Sequence, residues 1–143
     1  MSIDPAPRHQ SRERALTLLY EAELKGERPE DVLAALPMAP DPYVITLVSV
    51  VGARRAEIDG LVGEAAIGWD LDRMAVVDKN VLRLATAELL DCADVPTAVI
   101  LNEAVELASA FSTDDSGRFV NGVLATVATR VRPRSPMAEP TGT

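Results

Sequence analysis

Apolar residues recur every three or four positions along most of the chain, which is the spacing of one helix face. The first stripe lies between Arg8 and Lys25, and Gly26 follows it as a residue suited to the left-handed end of a helix. Five later stripes have the same spacing: Val32, Leu33 and Leu36; Leu47, Val48, Val51, Ile58, Leu61 and Val62; Val77, Val81, Leu82, Ala85 and Leu89; Ile100, Leu101, Ala104, Val105, Ala108 and Phe111; Phe119, Val120, Val123, Leu124 and Val127. The pattern predicts a series of amphipathic helices.

Turn and capping residues separate these stripes. Pro29 suits the first turn of a short helix, and Asp41 followed by Pro42 is typical of a helix start. Pro96 marks a stop before the next stripe, and the polar cluster at 113–116 predicts a capped start for the last helix. Acidic residues after Trp69 favour a helix start there as well.

The segment 44–51 admits two interpretations. Its β-branched residues are typical of a buried strand. The apolar stripe, however, continues at helical spacing towards Gly68, and no second strand-like run is present to pair with it. Because an unpaired strand would leave its backbone groups unsatisfied, we predict a helix that starts at Asp41 and continues towards Gly68.

Gly122 lies inside the last predicted helix. A glycine there costs about 1 kcal/mol relative to alanine, so it predicts a close helix crossing or backbone contact at this position.

The fold class follows from these elements. Every sizeable element is predicted helical, and the sequence has neither a long repeat nor a sustained heptad pattern. We therefore expect a compact all-α bundle over residues 8–132. Residues 1–7 and 133–143 are rich in Pro, Ser, Gly and Thr, and we expect flexible or disordered tails there.

Charge limits the classes of function. The chain has 143 residues, with 14 Lys and Arg against 22 Asp and Glu, a formal net charge of −8. Such a molecule repels nucleic acid as a whole, so any RNA site must be local. Arg8, His9, Arg12 and Arg14 form a cluster of this kind near the N-terminus.

Cysteine content and hydropathy indicate the compartment. The single cysteine, Cys92, cannot form an internal disulfide, which is typical of a reducing setting. The chain has neither a signal-peptide pattern at its start nor an apolar stretch of the length a membrane span needs. We expect a soluble, cytoplasmic protein that does not bind membranes.

Candidates for catalysis are few. His9 lies among arginines, and Cys92 occupies an apolar-stripe position where a small core residue is expected. The sequence lacks a glycine-rich phosphate loop and a pair of histidines that could hold a metal. It therefore favours a binding protein over an enzyme, without cofactor or metal.

Three segments carry a family resemblance. They are RHQSRERALTLLYEAEL at 8–24, WDLDRMAVVDKNVLRLATAELL at 69–90 and VILNEAVELASAFSTDDSGRFVNGVL at 99–124. Together they resemble the NusB family of transcription antitermination factors, and the third is the most specific of them.

The resemblance implies a fold and a function. The fold is all-helical, with about seven helices in two packed subdomains. The function is transcription antitermination without catalysis. Family members bind the boxA element of ribosomal RNA leader transcripts together with NusE, which is also a small-subunit ribosomal protein. The complex then joins an antitermination assembly on RNA polymerase.

The resemblance also assigns site residues. Those implied to contact RNA are Arg8, His9, Arg12, Asp115 and Phe119, and those implied to contact NusE are Tyr20 and Glu88. The residues alone leave a structural alternative open, in which both aromatics belong to the core, Asp115 caps a helix and Glu88 is a solvated acid. The family often has a denser arginine run where this chain has His9 and Gln10, so we expect weaker RNA binding with a smaller salt dependence.

Two other functions remain open from the sequence. NusB-like helical domains also occur fused ahead of RNA cytosine methyltransferases, where they help to bind RNA. A self-associating helical regulator, with its basic segment occupied in a homodimer contact, is the second alternative.

Overall fold

The computed structural model describes residues 5–133 and contains seven α-helices within them, without any strand. The helices are α1 (Pro5–Lys25), α2 (Pro29–Ala34), α3 (Pro42–Ala53), α4 (Arg55–Ala65), α5 (Val76–Asp91), α6 (Thr97–Phe111) and α7 (Asp114–Val131), with a 3-10 turn at Leu71–Arg73. The predicted all-α fold is confirmed. Helix α1 begins three residues before the expected Arg8, and the rest of the predicted tails, 1–4 and 134–143, lies outside the described residues. In the described part, no helix combines the length and apolar character needed to cross a membrane.

Several helix ends lie where the sequence predicts them. Gly26 follows α1 with a φ of 66°, the left-handed conformation expected there. The Asp41 carboxylate accepts a hydrogen bond from the Tyr43 N–H at 2.7 Å and caps α3. The Thr113 hydroxyl accepts one from the Ser116 N–H at 3.0 Å and caps α7. These local signals therefore fix the ends of three helices.

Three details of the sequence prediction are wrong. The segment 44–51 is helical as predicted, but the chain breaks at Arg54 (φ −114°, ψ 28°), so α3 and α4 are two helices. The acidic residues after Trp69 flank a 3-10 turn, and α5 begins only at Val76. Gly122 is exposed, and a Cβ built there would meet nothing within 4 Å.

The close helix approach occurs at Gly117 instead. A Cβ at Gly117 would lie 2.5 Å from Ser109 Oγ and 3.3 Å from Val105 Cγ1, both on α6. The missing side chain therefore lets the start of α7 lie close against α6.

Helix α5 is the centre of the bundle. It contacts α1, α3, α4, α6 and α7, and every residue from Asp78 to Leu89 is buried. Helices α1, α2 and α3 contact one another on one side, while α7 contacts α4 and α6 on the other. The fold thus consists of two helical groups packed around one shared helix.

Buried charges connect α5 to both groups. The Lys79 ammonium lies 2.5 Å from Glu23 on α1, and Arg83 reaches both Glu23 and Asp59 of α4 at 2.8 Å. Burial alone would raise the pKa of Glu23, but the hydrogen bond from Lys79 and the charge of Arg83 hold it below its ordinary value. The relative positions of α1, α4 and α5 are therefore fixed by paired charges as well as by the apolar core.

Candidate functional site

Arg12 forms a buried ion pair with Glu88 between α1 and α5. Arg12 Nε donates to Glu88 Oε1 at 2.9 Å and to Oε2 at 3.0 Å, and Arg12 Nη2 donates to Oε2 at 2.5 Å. The Tyr43 hydroxyl donates a further hydrogen bond to Glu88 at 2.6 Å. Arg12 is 3% exposed and Glu88 is 1% exposed. Both charges are therefore satisfied inside the protein.

This burial bears on two residues of the predicted site. The sequence resemblance implies that Arg12 contacts RNA and Glu88 contacts the partner protein. A group that is almost fully buried and already bonded can do so only after the ion pair opens. We therefore interpret Arg12 and Glu88 as residues that hold α1 on α5.

Arg8 and His9 are more accessible, but they too lie against acidic groups. The Arg8 guanidinium lies 4.4 Å from the centre of the Tyr43 ring and 3.4 Å from the Asp94 carboxylate. His9 Nδ1 lies 2.7 Å from Glu103 Oε1. The hydrogen bond with Glu103 raises the pKa of His9 and favours the imidazolium. An RNA phosphate at either residue would compete with a carboxylate already in place.

Two exposed arginines lack an acidic partner within the part of the chain that the structure describes. They are Arg14 on α1 and Arg73 at the end of the 3-10 turn. Arg14 belongs to the N-terminal cationic cluster but is not among the residues that the resemblance implies to contact RNA, and Arg73 belongs to neither set. Their guanidinium groups are therefore exposed cations that no carboxylate of the described residues occupies.

A second cluster lies where α7 begins. Trp69 and Phe119 are in edge-to-face contact, with ring centroids 5.5 Å apart and planes at 61°. Trp69 is 55% exposed. The two rings border a cavity of about 340 Å³ whose other walls include Asp78 and Asp115. We call this the aromatic cavity.

Polar groups in the aromatic cavity are unequally satisfied. Asp78 is buried at the start of α5, and its Oδ2 accepts a hydrogen bond from the Ser116 hydroxyl at 3.0 Å. Its Oδ1 is buried too, but it lacks a hydrogen-bond partner among the described residues. Asp115 is exposed and pairs with Arg118 one turn later. Because Thr113 provides the helix cap, the Asp115 side chain is not needed for that role.

Tyr20 lies in an apolar groove next to this cavity. The groove has a volume of about 240 Å³ and is lined by Leu16, Thr17, Tyr20, Val77 and Phe111. Tyr20 is 38% exposed and Phe111 is 51% exposed, so neither belongs to the closed core. We call it the Tyr20 groove. Val77 of the groove directly precedes Asp78 of the cavity, which makes the two depressions neighbours.

The structure therefore divides the predicted site. Asp115 and Phe119 lie together at the aromatic cavity, and Tyr20 lies beside it. Arg8, His9 and Arg12 lie near Glu88, ten residues further along α5 than Asp78, which is about 15 Å at the helical rise. Trp69 and Asp78 also line the aromatic cavity, and the sequence assigned neither of them to a site. The single tryptophan of a chain with 3% aromatic residues was the signal available for Trp69, and the sequence offered none for Asp78.

Other reactive groups have structural partners. His9, Glu103 and Glu106 are the one set in the described part whose donor atoms could together hold a metal, all within 4.8 Å. Glu103 already bonds to His9 and Arg12, so charge pairing explains the set. Cys92 is buried, as predicted, and burial raises the pKa of its thiol, which favours the unreactive protonated form.

Comparison with known proteins gives consistent matches. Residues 9–129 match the model of the NusB family. The transcription antitermination protein NusB of Acidothermus cellulolyticus is 50% identical over 124 residues, which cover 84% of this chain and 86% of that protein. The structure of T. maritima NusB aligns with a TM-score of 0.79 at 30% identity, covering 93% of this chain and 96% of that one. A structure of antitermination factors NusB and NusE in complex with dsRNA aligns with a TM-score of 0.74 at 27% identity, covering 86% of this chain and 96% of that one.

Proposed function

The chain belongs to the NusB family, and on that basis we propose that it is a non-catalytic transcription antitermination factor. It binds boxA RNA of ribosomal RNA leader transcripts together with NusE. The complex acts in the cytoplasm as part of the antitermination assembly on RNA polymerase. The observation that carries this proposal is the similarity, over most of the chain, to relatives named as antitermination proteins.

The Tyr20 groove supports the protein-binding part of the proposal. It is apolar, open and bordered by exposed aromatic rings, which is the composition that protein interfaces favour at their centre. The chain has a net charge of −8, so a basic ribosomal protein would be attracted to it. We assign docking to Tyr20 and its neighbours, and leave Glu88 out of direct contact because it is buried.

The aromatic cavity supports the RNA-binding part. Sequence-specific RNA recognition usually targets single-stranded bases, which stack on aromatic rings and form hydrogen bonds along their edges. Phe119 provides an aromatic ring there, and the exposed Asp115 provides an acceptor. A carboxylate is suited to base amino groups and unsuited to phosphates, so the cavity favours bases over the RNA backbone.

Of the two alternatives, the methyltransferase module has less support. The relatives named as antitermination proteins match this chain over about 86% of their own length, so the likeness concerns nearly the whole of those proteins. Homodimer formation stays a prediction, to be tested by light scattering over a range of concentrations.

The test is formation of a ternary complex from the purified chain, NusE and a boxA RNA. We expect Tyr20→Asp to weaken NusE binding at least tenfold in calorimetry, because it places a charge in an apolar interface. Met38→Asp is the matched control, since it introduces the same charge at an exposed apolar residue outside the groove. Equal NusE affinity in Tyr20→Asp and wild type would remove the groove from the interface. Failure of the wild-type chain to form any ternary complex would refute the proposed function.

A further inference from the structure

We propose that the aromatic cavity is a pocket for one unpaired RNA base, in which Trp69 is the stacking surface and Asp78 accepts a hydrogen bond from the base. This inference rests on the proposed RNA-binding function and adds two residues to it. It also specifies which bases the pocket accepts.

Trp69 is placed as a stacking residue. It follows Gly68, whose φ of 86° turns the chain after α4, and its backbone N–H bonds to the Ala66 carbonyl at 3.0 Å. Its ring is thus held at the cavity mouth, with one edge contact to Phe119 and more than half of its surface exposed. Aromatic rings exposed in this way are the usual platforms for bases of single-stranded nucleic acid.

Asp78 supplies the second, independent observation. It is nine-tenths buried in the cavity wall, and its Oδ1 accepts no hydrogen bond from the residues that the structure describes. A buried acceptor without a donor is unfavourable, and a ligand that brings an N–H group removes that cost. Because Oδ1 is itself buried, the carboxylate has to turn towards the cavity to meet a donor. A ligand with a donor beside a flat apolar face, which is the chemistry of a nucleobase, fits this arrangement.

Charge around the cavity favours a base over a phosphate. Asp78 would repel an anion placed in the cavity, whereas the charge of Asp115 is paired with Arg118. Arg73 also lines the cavity and is free of acidic partners in the described part of the chain, so it can neutralise the phosphate that follows the bound base. In this arrangement the cavity contacts the base, while Arg73 contacts the RNA backbone.

Base chemistry then predicts a preference. Adenine, cytosine and guanine each carry an exocyclic amino group that can donate to Asp78 Oδ1. Uracil has only a ring N–H on its pairing edge, flanked by two carbonyl oxygens that a carboxylate repels. We therefore expect the pocket to discriminate against uracil at one position of the RNA.

Tryptophan fluorescence provides a direct test, because Trp69 is the sole tryptophan in the chain. The full chain with NusE is titrated with a fluorescein-labelled boxA RNA, and anisotropy reports binding independently. We expect Trp69 emission to be quenched over the same concentration range, with Trp69→Phe as the blank. Trp69→Leu should weaken RNA binding roughly tenfold, since it removes the stacking surface.

The base preference tests Asp78. Each RNA position is changed to uracil in turn, and one change should weaken binding to the wild type at least fivefold. Asp78→Asn should remove that preference, because its amide can donate to a uracil carbonyl. Glu27→Gln is the matched control for loss of one negative charge, since Glu27 is exposed and outside the cavity. Thermal unfolding of each variant checks the fold, and the uracil series on the wild type needs no variant.

The outcomes are distinguishable. RNA binding without Trp69 quenching, together with unchanged affinity in Trp69→Leu, would overturn the base pocket while leaving the proposed function intact. If Asp78→Asn weakens NusE binding in the absence of RNA and the uracil preference persists, the pocket belongs to the protein partner and the inference is wrong. Absence of any anisotropy change with the wild type would refute the proposed function itself.

Discussion

Arg12 is chemically suited to bind a phosphate, yet its guanidinium is occupied by carboxylates. Glu88 takes the bidentate contact, and Glu103 lies 3.3 Å from the remaining Nη1. A sequence motif identifies such a residue as basic, but it cannot say which carboxylates the fold brings to it. For this reason the resemblance could indicate the N-terminal basic segment without separating its internal residues from its exposed ones.

We expect the Arg12–Glu88 pair to contribute to the stability of the fold and not to direct contact with a ligand. We expect Glu88→Ala to lower the free energy of unfolding by about 3–5 kcal/mol, because it leaves a buried guanidinium uncompensated. Urea denaturation measures this change. Glu27→Ala, which removes an exposed glutamate, should change it by less than about 0.5 kcal/mol. Similar stabilities for the two variants would contradict the buried pair.

His9 should make stability depend on pH. Its pKa is raised by the hydrogen bond to Glu103, so folding favours the protonated ring. That contribution is fully present below the ordinary pKa of about 6.5 and is lost as the pH rises through the higher folded value. We expect His9→Gln to lower the melting temperature more at pH 5.5 than at pH 8.5. A difference that is constant across this range would exclude the linkage.

At the scale of elements, helices were predictable because their signals are local. Apolar periodicity and the caps at Asp41 and Thr113 each lie within a few residues. The break at Arg54 was not predictable, because α3 and α4 continue the same apolar stripe on either side of it. Asp78 was missed for a related reason. An acid in the first turn of a helix is common, and only the packing of α7 against α5 makes this one a buried cavity wall.

The α6–α7 contact provides a paired test with two glycines of one helix. Gly117→Ala should destabilise the protein by about 1–2 kcal/mol, because its Cβ would collide with Ser109 and Val105. Gly122→Ala should stabilise it by about 0.5–1 kcal/mol, since the site is open and alanine favours the helix. Chemical denaturation of both variants measures the two signs. Effects of the same sign would contradict the close approach at Gly117.

At the scale of the whole molecule, few cations are available to bind RNA. The chain has a net charge of −8, and the N-terminal cluster lies against Asp94, Glu103 and Glu88. Arg14 and Arg73 are the exposed arginines that remain unpaired over the described range. A partner protein that brings its own positive charge would therefore add the attraction that this chain lacks.

Salt dependence measures how many cations are used. With only Arg14 and Arg73 as phosphate contacts, the slope of log K against log salt for the chain alone should be about −1.4. Measuring RNA affinity at several salt concentrations between about 50 and 200 mM gives the slope. A slope steeper than about −3 would mean that the N-terminal residues exchange their carboxylates for phosphates. Addition of NusE should make the slope steeper.

The first turn of α5 borders both depressions, with Val77 in the Tyr20 groove and Asp78 in the aromatic cavity. If occupancy of one depression shifts this turn, it changes the affinity of the other, and the two binding equilibria are then coupled. If the protein ligand changes the affinity for polynucleotide by some factor, thermodynamic reciprocity requires the polynucleotide to change the affinity for the protein ligand by the same factor. A factor greater than one would make assembly on a transcript cooperative through one helical turn, with the complete complex forming most readily where both ligands are present.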